Sequence, residues 1–260
     1  MSPADLRVLQ RRGAGALASR ETRRVLSLWT QTILPPVVTA LLFLAVFGAA
    51  LGPRIGEVEG LDYLAFVLPG LLVLTTVGPA IANASTSLYQ AKSEGYIEDV
   101  LTSPLRPWQV VAAYAAGSVV RAWVSTLAVA LLAAPFTDGA THLLVAVAAL
   151  ALAGFLFASL GVIVGIAAET FDQHALVANL VVAPLALLAG VFYPAGALEE
   201  PWQTVTRLDP LYYVVDATRY GLTGYHDAPV GTSLAVTSAA AAAVFALAVA
   251  LVGRGWRLKP

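Results

Sequence analysis

The chain reads as an all-α protein that crosses a membrane several times, and three observations predict it. Of its 260 residues, 58% are hydrophobic and only 12% are charged, about half the charged share of a soluble domain. The mean hydropathy is +0.78. The apolar residues gather into runs long enough to cross a hydrocarbon core of about 30 Å, which takes about 20 helical residues. The net charge of −1 is uninformative as a total because the charges are segregated along the chain. With no cysteine there is no disulfide framework, thiolate metal site or cysteine nucleophile.

Six runs qualify as transmembrane helices, at 33–51, 64–88, 110–135, 143–168, 176–192 and 233–252. Ahead of them, residues 1–32 form an Arg-rich lead too long for the n-region of a cleavable signal, so the N-terminus is expected to be retained. Arg7, Arg11, Arg12, Arg20, Arg23 and Arg24 alternate there with Leu6, Leu9, Leu17, Val25 and Leu28. That pattern fits one or two short helices at the headgroup level or a simple topogenic tail, and Gly13 and Gly15 argue against a single rigid helix.

Orientation follows from Lys and Arg near the span ends, which stay on the cytoplasmic side. Eleven fall in the lead, the 92–107 segment and the tail at 254–260, against Arg54, Arg207 and Arg219 on the other side. Six spans with both termini cytoplasmic satisfy that bias. Pro35 and Pro36 suit the entry to span one, where missing amide donors cost least. Pro79 should kink span two. Gly154, Ala158, Gly161 and Gly165 make a small-residue stripe on span four, a pattern that lets membrane helices approach closely.

Between spans two and three, residues 92–107 interrupt the apolar pattern with Glu94, Glu98 and Asp99 among Tyr96, Ile97, Val100 and Leu101. A short helix over 93–101, stopped by Ser103-Pro104, would have an acidic face and an apolar one. It is either a solvated connector or a docking knob for a soluble partner. Between spans five and six lie 38 residues, 193–230, with Trp202, Tyr212, Tyr213, Tyr220 and Tyr225 among them. They predict two short helices, 201–208 and 211–222, broken at Asp209-Pro210 and dipping into the outer leaflet, where aromatic rings are at home. Asp216 and Arg219, at i and i+3, can pair there, with Tyr213 on the same helix.

The chemistry of an enzyme is missing. Serine with histidine, paired aspartates and metal-spaced histidines are absent at membrane depth, as is a phosphate-cradling GxxxxGK[ST] loop. Beyond the lead, no basic patch supports nucleic-acid binding. Arg121 alone sits deep in a span, at a cost of about 2.5–3.5 kcal/mol on the insertion scale. Thr76, Asn83 and Ser87 share one face of span two, and Asn179 adds a polar group in span five. These four either line a substrate path or glue helices together.

Taken together, several motifs resemble the permease subunits of type-2 ABC exporters. They are the basic lead running through Trp29-Thr30-Gln31-Thr32 into Pro35-Pro36, Glu94-Gly95 with Glu98 and Ser103-Pro104, Gly190-Val191-Phe192-Tyr193-Pro194, and Asp209-Pro210 with Tyr213, Asp216 and Arg219. The likeness covers the whole chain and is strongest to enterobacterial inner-membrane permeases of unassigned substrate. It implies a homodimer of six-span subunits in the bacterial cytoplasmic membrane, each engaging a separate ABC ATPase that binds ATP and Mg. By that resemblance the loop between spans two and three is a coupling helix entering a groove of the ATPase. The role falls on Glu94, Gly95, Tyr96 and Glu98 with their neighbours Ile97, Ser103 and Pro104. The lead becomes an interfacial helix and 193–230 a pair of re-entrant helices. Few aromatic rings in spans two and three argue against a long glycan and for a hydrophobic, amphipathic or lipid-like solute. The alternatives are an ion-coupled secondary transporter and a non-transporting membrane scaffold.

Overall fold

A computed structural model describes residues 2–27, 29–136 and 139–258; within these, the side chains of residues 32, 49, 136, 174, 175, 177–179 and 181 are outside the described set. The helices in chain order are α1 (Pro3–Ser27), α2 (Trp29–Phe43), α3 (Gly52–Ile55), α4 (Tyr63–Ser93), α5 (Ile97–Thr102), α6 (Pro107–Ala133), α7 (Leu143–Ala167), α8 (Phe171–Leu188), α9 (Trp202–Leu208), α10 (Pro210–Thr223) and α11 (Val230–Arg254). A π-helical stretch, Leu44–Leu51, joins α2 to α3, and a two-residue antiparallel hairpin, β1 (Glu57–Val58) with β2 (Leu61–Asp62), leads into α4. Among the described residues, five helical segments are long and apolar enough to cross a membrane: Trp29–Ile55, α4, α6, α7 and α11. The expected fifth run lies largely in the 18-residue α8.

The axis of the molecule is α4, buried along most of its length between α6 and α7. Asp62 starts it by accepting from Leu64 N–H at 3.0 Å, which satisfies one orphan donor of the first turn. The small-residue stripe of α7 lets the two helices touch. A Cβ on Gly161 would lie 2.5 Å from the Ile81 carbonyl oxygen, and one on Gly165 2.8 Å from that of Ser85. Leu72, Val73, Val77 and Ile81 of α4 meet Leu156 and Phe157 of α7 and Val214 and Val215 of α10 in the central core.

Three local expectations differ from the structure. The lead is one helix of 25 residues, because Gly13 serves a contact: a Cβ there would meet Leu105 at 3.2 Å, and packing along α6 outweighs the propensity cost of glycine. The short helix begins at Ile97, not Ser93. Ser93 completes α4, and Gly95, at φ +81°, turns the chain with a conformation that other residues resist. Pro35 and Pro36 lie inside α2, which starts at Trp29. Proline is tolerated within a membrane helix where neighbouring groups satisfy the freed carbonyls.

Candidate functional site

The segment after α4 presents an acidic surface on an apolar anchor. Glu94, Glu98 and Asp99 are exposed, while Ile97 is 2% exposed. Ile97 sits in a cluster with Leu17 of α1, Val110 of α6, Val252 of α11 and Leu258 of the tail, burial that contributes about 1.5–3 kcal/mol. Ser103 closes α5 by donating to the Val100 carbonyl at 2.5 Å. Tyr96 is half-buried beneath the Arg20 guanidinium, 4.7 Å from its ring centroid, and burial raises its phenol pKa above the usual value. Of the seven residues expected to dock a partner, Ile97 therefore faces inward and Tyr96 is half-covered. Glu94, Gly95, Glu98 and Pro104 are open.

Two cations hold the neighbouring helix ends. Lys92 Nζ donates to the Ile166 and Ala168 carbonyls at 2.6 and 2.9 Å, at the end of α7 where the helix dipole favours positive charge. Arg257 donates to the Ala167 carbonyl at 3.2 Å and lies 3.4 Å from Glu169. A 430 Å³ hollow beside α5 is bounded by Tyr89, Gly95, Glu98, Glu169 and Arg257.

α1 ties this surface to the interior. Gln10 donates to the Pro104 carbonyl at 2.9 Å, Gly13 abuts Leu105, and a Cβ on Gly117 would lie 2.7 Å from that of Glu21. Gln10, Leu17, Glu21 and Val25 form one buried stripe. From Gln10 to Arg24 the helix advances about 20 Å. Glu21, 1% exposed, accepts from Arg20 at 2.9 Å and from Ser87 Oγ, with Arg24 at 3.5 Å. Arg24 Nη1 donates to Gln90 Oε1 at 2.7 Å.

The polar residues of α4 join the same network. Asn83 donates to Ser118 Oγ at 2.9 Å, and its own carbonyl oxygen accepts from Arg121 at 3.4 Å and Arg24 at 3.5 Å. Thr76 shares a 2.7 Å hydrogen bond with Thr126 of α6. All three α4 residues are buried, each bonded to another helix. The Asn179 side chain lies outside the described set. Sequence reasoning passed over Glu21, the one acid in the second half of an Arg-rich lead. That isolation was its only signal.

At the opposite end, α9 and α10 meet at Asp209-Pro210. Asp209 caps α10 by accepting from Leu211 N–H at 2.8 Å. Burial raises its carboxyl pKa to about 6. The expected Asp216–Arg219 ion pair is replaced by separate partners. Arg219 donates to the carbonyls of Phe66 and Gly190 at 3.1 and 2.7 Å and stacks 3.9 Å above the Phe66 ring. Asp216 accepts from Asp227 N–H at 2.6 Å and Ser233 Oγ at 2.8 Å. Each side chain thus anchors a different distant segment. Tyr213 donates to the Arg207 carbonyl at 2.9 Å, bracing α9 against α10.

A family model described as ABC-2 type transporter matches residues 13–223. The chain is 34% identical over 242 residues to the inner membrane transport permease YadH of Escherichia coli strain K12, covering 93% of this chain and 94% of that one. It is 28% identical over 233 residues to nodulation protein J of Rhizobium meliloti, covering 88% and 87%. Nodulation protein J of Rhizobium leguminosarum bv. viciae is 26% identical over 227 residues, at 86% and 87%.

Proposed function

The chain belongs to the ABC-2 type transporter family, and from that membership and the geometry of α5 we propose that it is the permease subunit of an ATP-driven exporter. In this reading α8 is a sixth span beside the five apolar helices. Both termini and α5 lie on the cytoplasmic side of a bacterial inner membrane, and α9 with α10 is a re-entrant pair in the outer leaflet. Two copies assemble with two copies of a separate ATPase subunit, which holds ATP and Mg. The solute that moves outward through the dimer is hydrophobic, amphipathic or lipid-like.

The observation that carries the reading is the division of α5 into an exposed acidic face and a buried apolar one. Ile97 holds the helix against α1, α6 and the end of α11, so a push on Glu94 and Glu98 passes into packed elements. A surface of this sign suits a basic groove on the partner. α1 then carries displacement from Pro104 to Ser87 and Asn83, side chains of the central helix.

Co-purification tests the docking role. The doubly reversed variant Glu94→Arg, Glu98→Arg is expected to lose its ATPase partner, and with it solute-stimulated ATP hydrolysis, at an unchanged melting temperature, since both side chains are exposed. Unchanged co-purification would remove α5 from the interface. Transport in vesicles driven by an ion gradient, with the ATPase absent, would overturn the ATP-driven reading in favour of an ion-coupled carrier.

A further inference from the structure

We propose that two adjoining cavities between α1, α2, α4 and α6 form a binding site for an anionic amphiphile, with its headgroup held by Arg24 and Arg121. The proposal deepens the amphipathic-solute reading above and rests on it for its use in transport. The first cavity, about 310 Å³, holds the charged groups: Arg24, Asn83, Gln90 and Arg121 border it together with Val25 and Phe171. The second, about 590 Å³, is mainly apolar, with Pro35, Pro36, Phe43, Leu71, Leu74 and Pro79 on its walls. Gln31 and Arg121 border both. A charged chamber joined to an apolar one of ligand size has the division of an amphiphile.

The electrostatics select the sign of the headgroup. Arg121 Nε is buried without a hydrogen-bond partner, and Arg121 Nη1 makes a 3.4 Å contact with the Asn83 carbonyl oxygen. Arg24 reaches the same oxygen at 3.5 Å. Two cations thus converge on one neutral acceptor. Glu21 serves Arg20 and Arg24, and among the described residues no carboxylate lies within ion-pair distance of Arg121. An ionisable group kept at such depth marks a ligand path or a charge partner. A phosphate, sulfate or carboxylate beside Arg121 would supply the acceptor that its Nε lacks, with Arg24 adding a second positive charge.

The test uses the full-length permease in a neutral detergent, without its ATPase, with binding followed by thermophoresis. Dodecyl phosphate is expected to bind at least tenfold more tightly than dodecanol, which lacks the charge, and than inorganic phosphate, which lacks the tail. Arg121→Gln should weaken dodecyl phosphate binding about tenfold at an unchanged melting temperature, and Arg121→Lys should lose less. Equal binding of dodecanol and dodecyl phosphate, or wild-type affinity in Arg121→Gln, would overturn the site. Native mass spectrometry separates the sources: phosphatidylglycerol that co-purifies with wild type and not with Arg121→Gln identifies a bilayer lipid. A wild-type protein free of lipid that still takes dodecyl phosphate identifies a ligand that enters from solution. Because no ATPase is present, failure here leaves the permease reading standing, and failure of α5 to dock leaves this site standing.

Discussion

Glu21 near one end of the molecule and Arg219 near the other are each 1% exposed, yet they are satisfied in opposite ways. Arg219 is held by main-chain carbonyls of two other segments, Phe66 in α4 and Gly190 after α8. Glu21 is held by side chains: Ser87, Arg20 and Arg24. Main-chain acceptors cannot leave without moving their helices, whereas side-chain partners can rotate and exchange. The α10 end is therefore built as a fixed brace, and the α1 end as a joint whose contacts can exchange.

The comparison predicts its largest effect at Arg219. Arg219→Met fills similar space but leaves the Phe66 and Gly190 carbonyls without their donors. The expected loss is about 3–5 kcal/mol, as for breaking a buried charged contact, read as failure to recover monodisperse protein. Arg219→Lys should fall between, because one ammonium cannot both bridge two carbonyls and stack on Phe66. A well-folded Arg219→Met with an unchanged melting temperature would break the brace reading.

Glu21 should respond more mildly and in a different observable. Glu21→Gln keeps an acceptor for Ser87 and should cost about 1 kcal/mol, while Glu21→Ala strands the buried hydroxyl and removes the carboxylate that Arg20 and Arg24 share, and should cost about 2–3 kcal/mol. If α1 is a joint, the alanine variant opens it before the bundle melts, and protease cuts α1 at temperatures where the remaining helices stay intact. Simultaneous loss of α1 and the bundle would make both ends equally rigid.

The fold was legible wherever the signal was local. Apolar runs placed the long helices, Asp209-Pro210 placed the break between α9 and α10, and the glycines of α7 marked a close contact without naming its partner. The charged sites were not legible, because local spacing offered the wrong partners. Asp216 and Arg219 stand three residues apart, but Arg219 is bonded 29 and 153 residues away. Glu21 beside Arg20 and Arg24 looks like a neutralised surface acid, and its contact with Ser87 spans 66 residues. Helical periodicity says which face a residue occupies and nothing of which helix meets that face.

Asp209 is where the α10 end departs from its own rule, and it gives the smallest effect. Its Oδ1 caps α10, but Oδ2 is buried without a partner, so the ionised form is carried at a cost. Burial raises the folded pKa from 3.8 to about 6. The folded protein therefore holds this proton more tightly than the unfolded chain does. Stability from that preference is complete below pH 3.8 and is lost as the pH rises through 6. An asparagine side chain in its place would keep the cap and remove the charge. Asp209→Asn should thus raise stability by about 1–3 kcal/mol above pH 6, and the gain should shrink as the pH falls towards 3.8. Melting curves of both proteins at pH 5 and pH 8 measure the difference. A variant less stable than wild type at pH 8 would overturn the reading that the ionised Asp209 is carried at a cost.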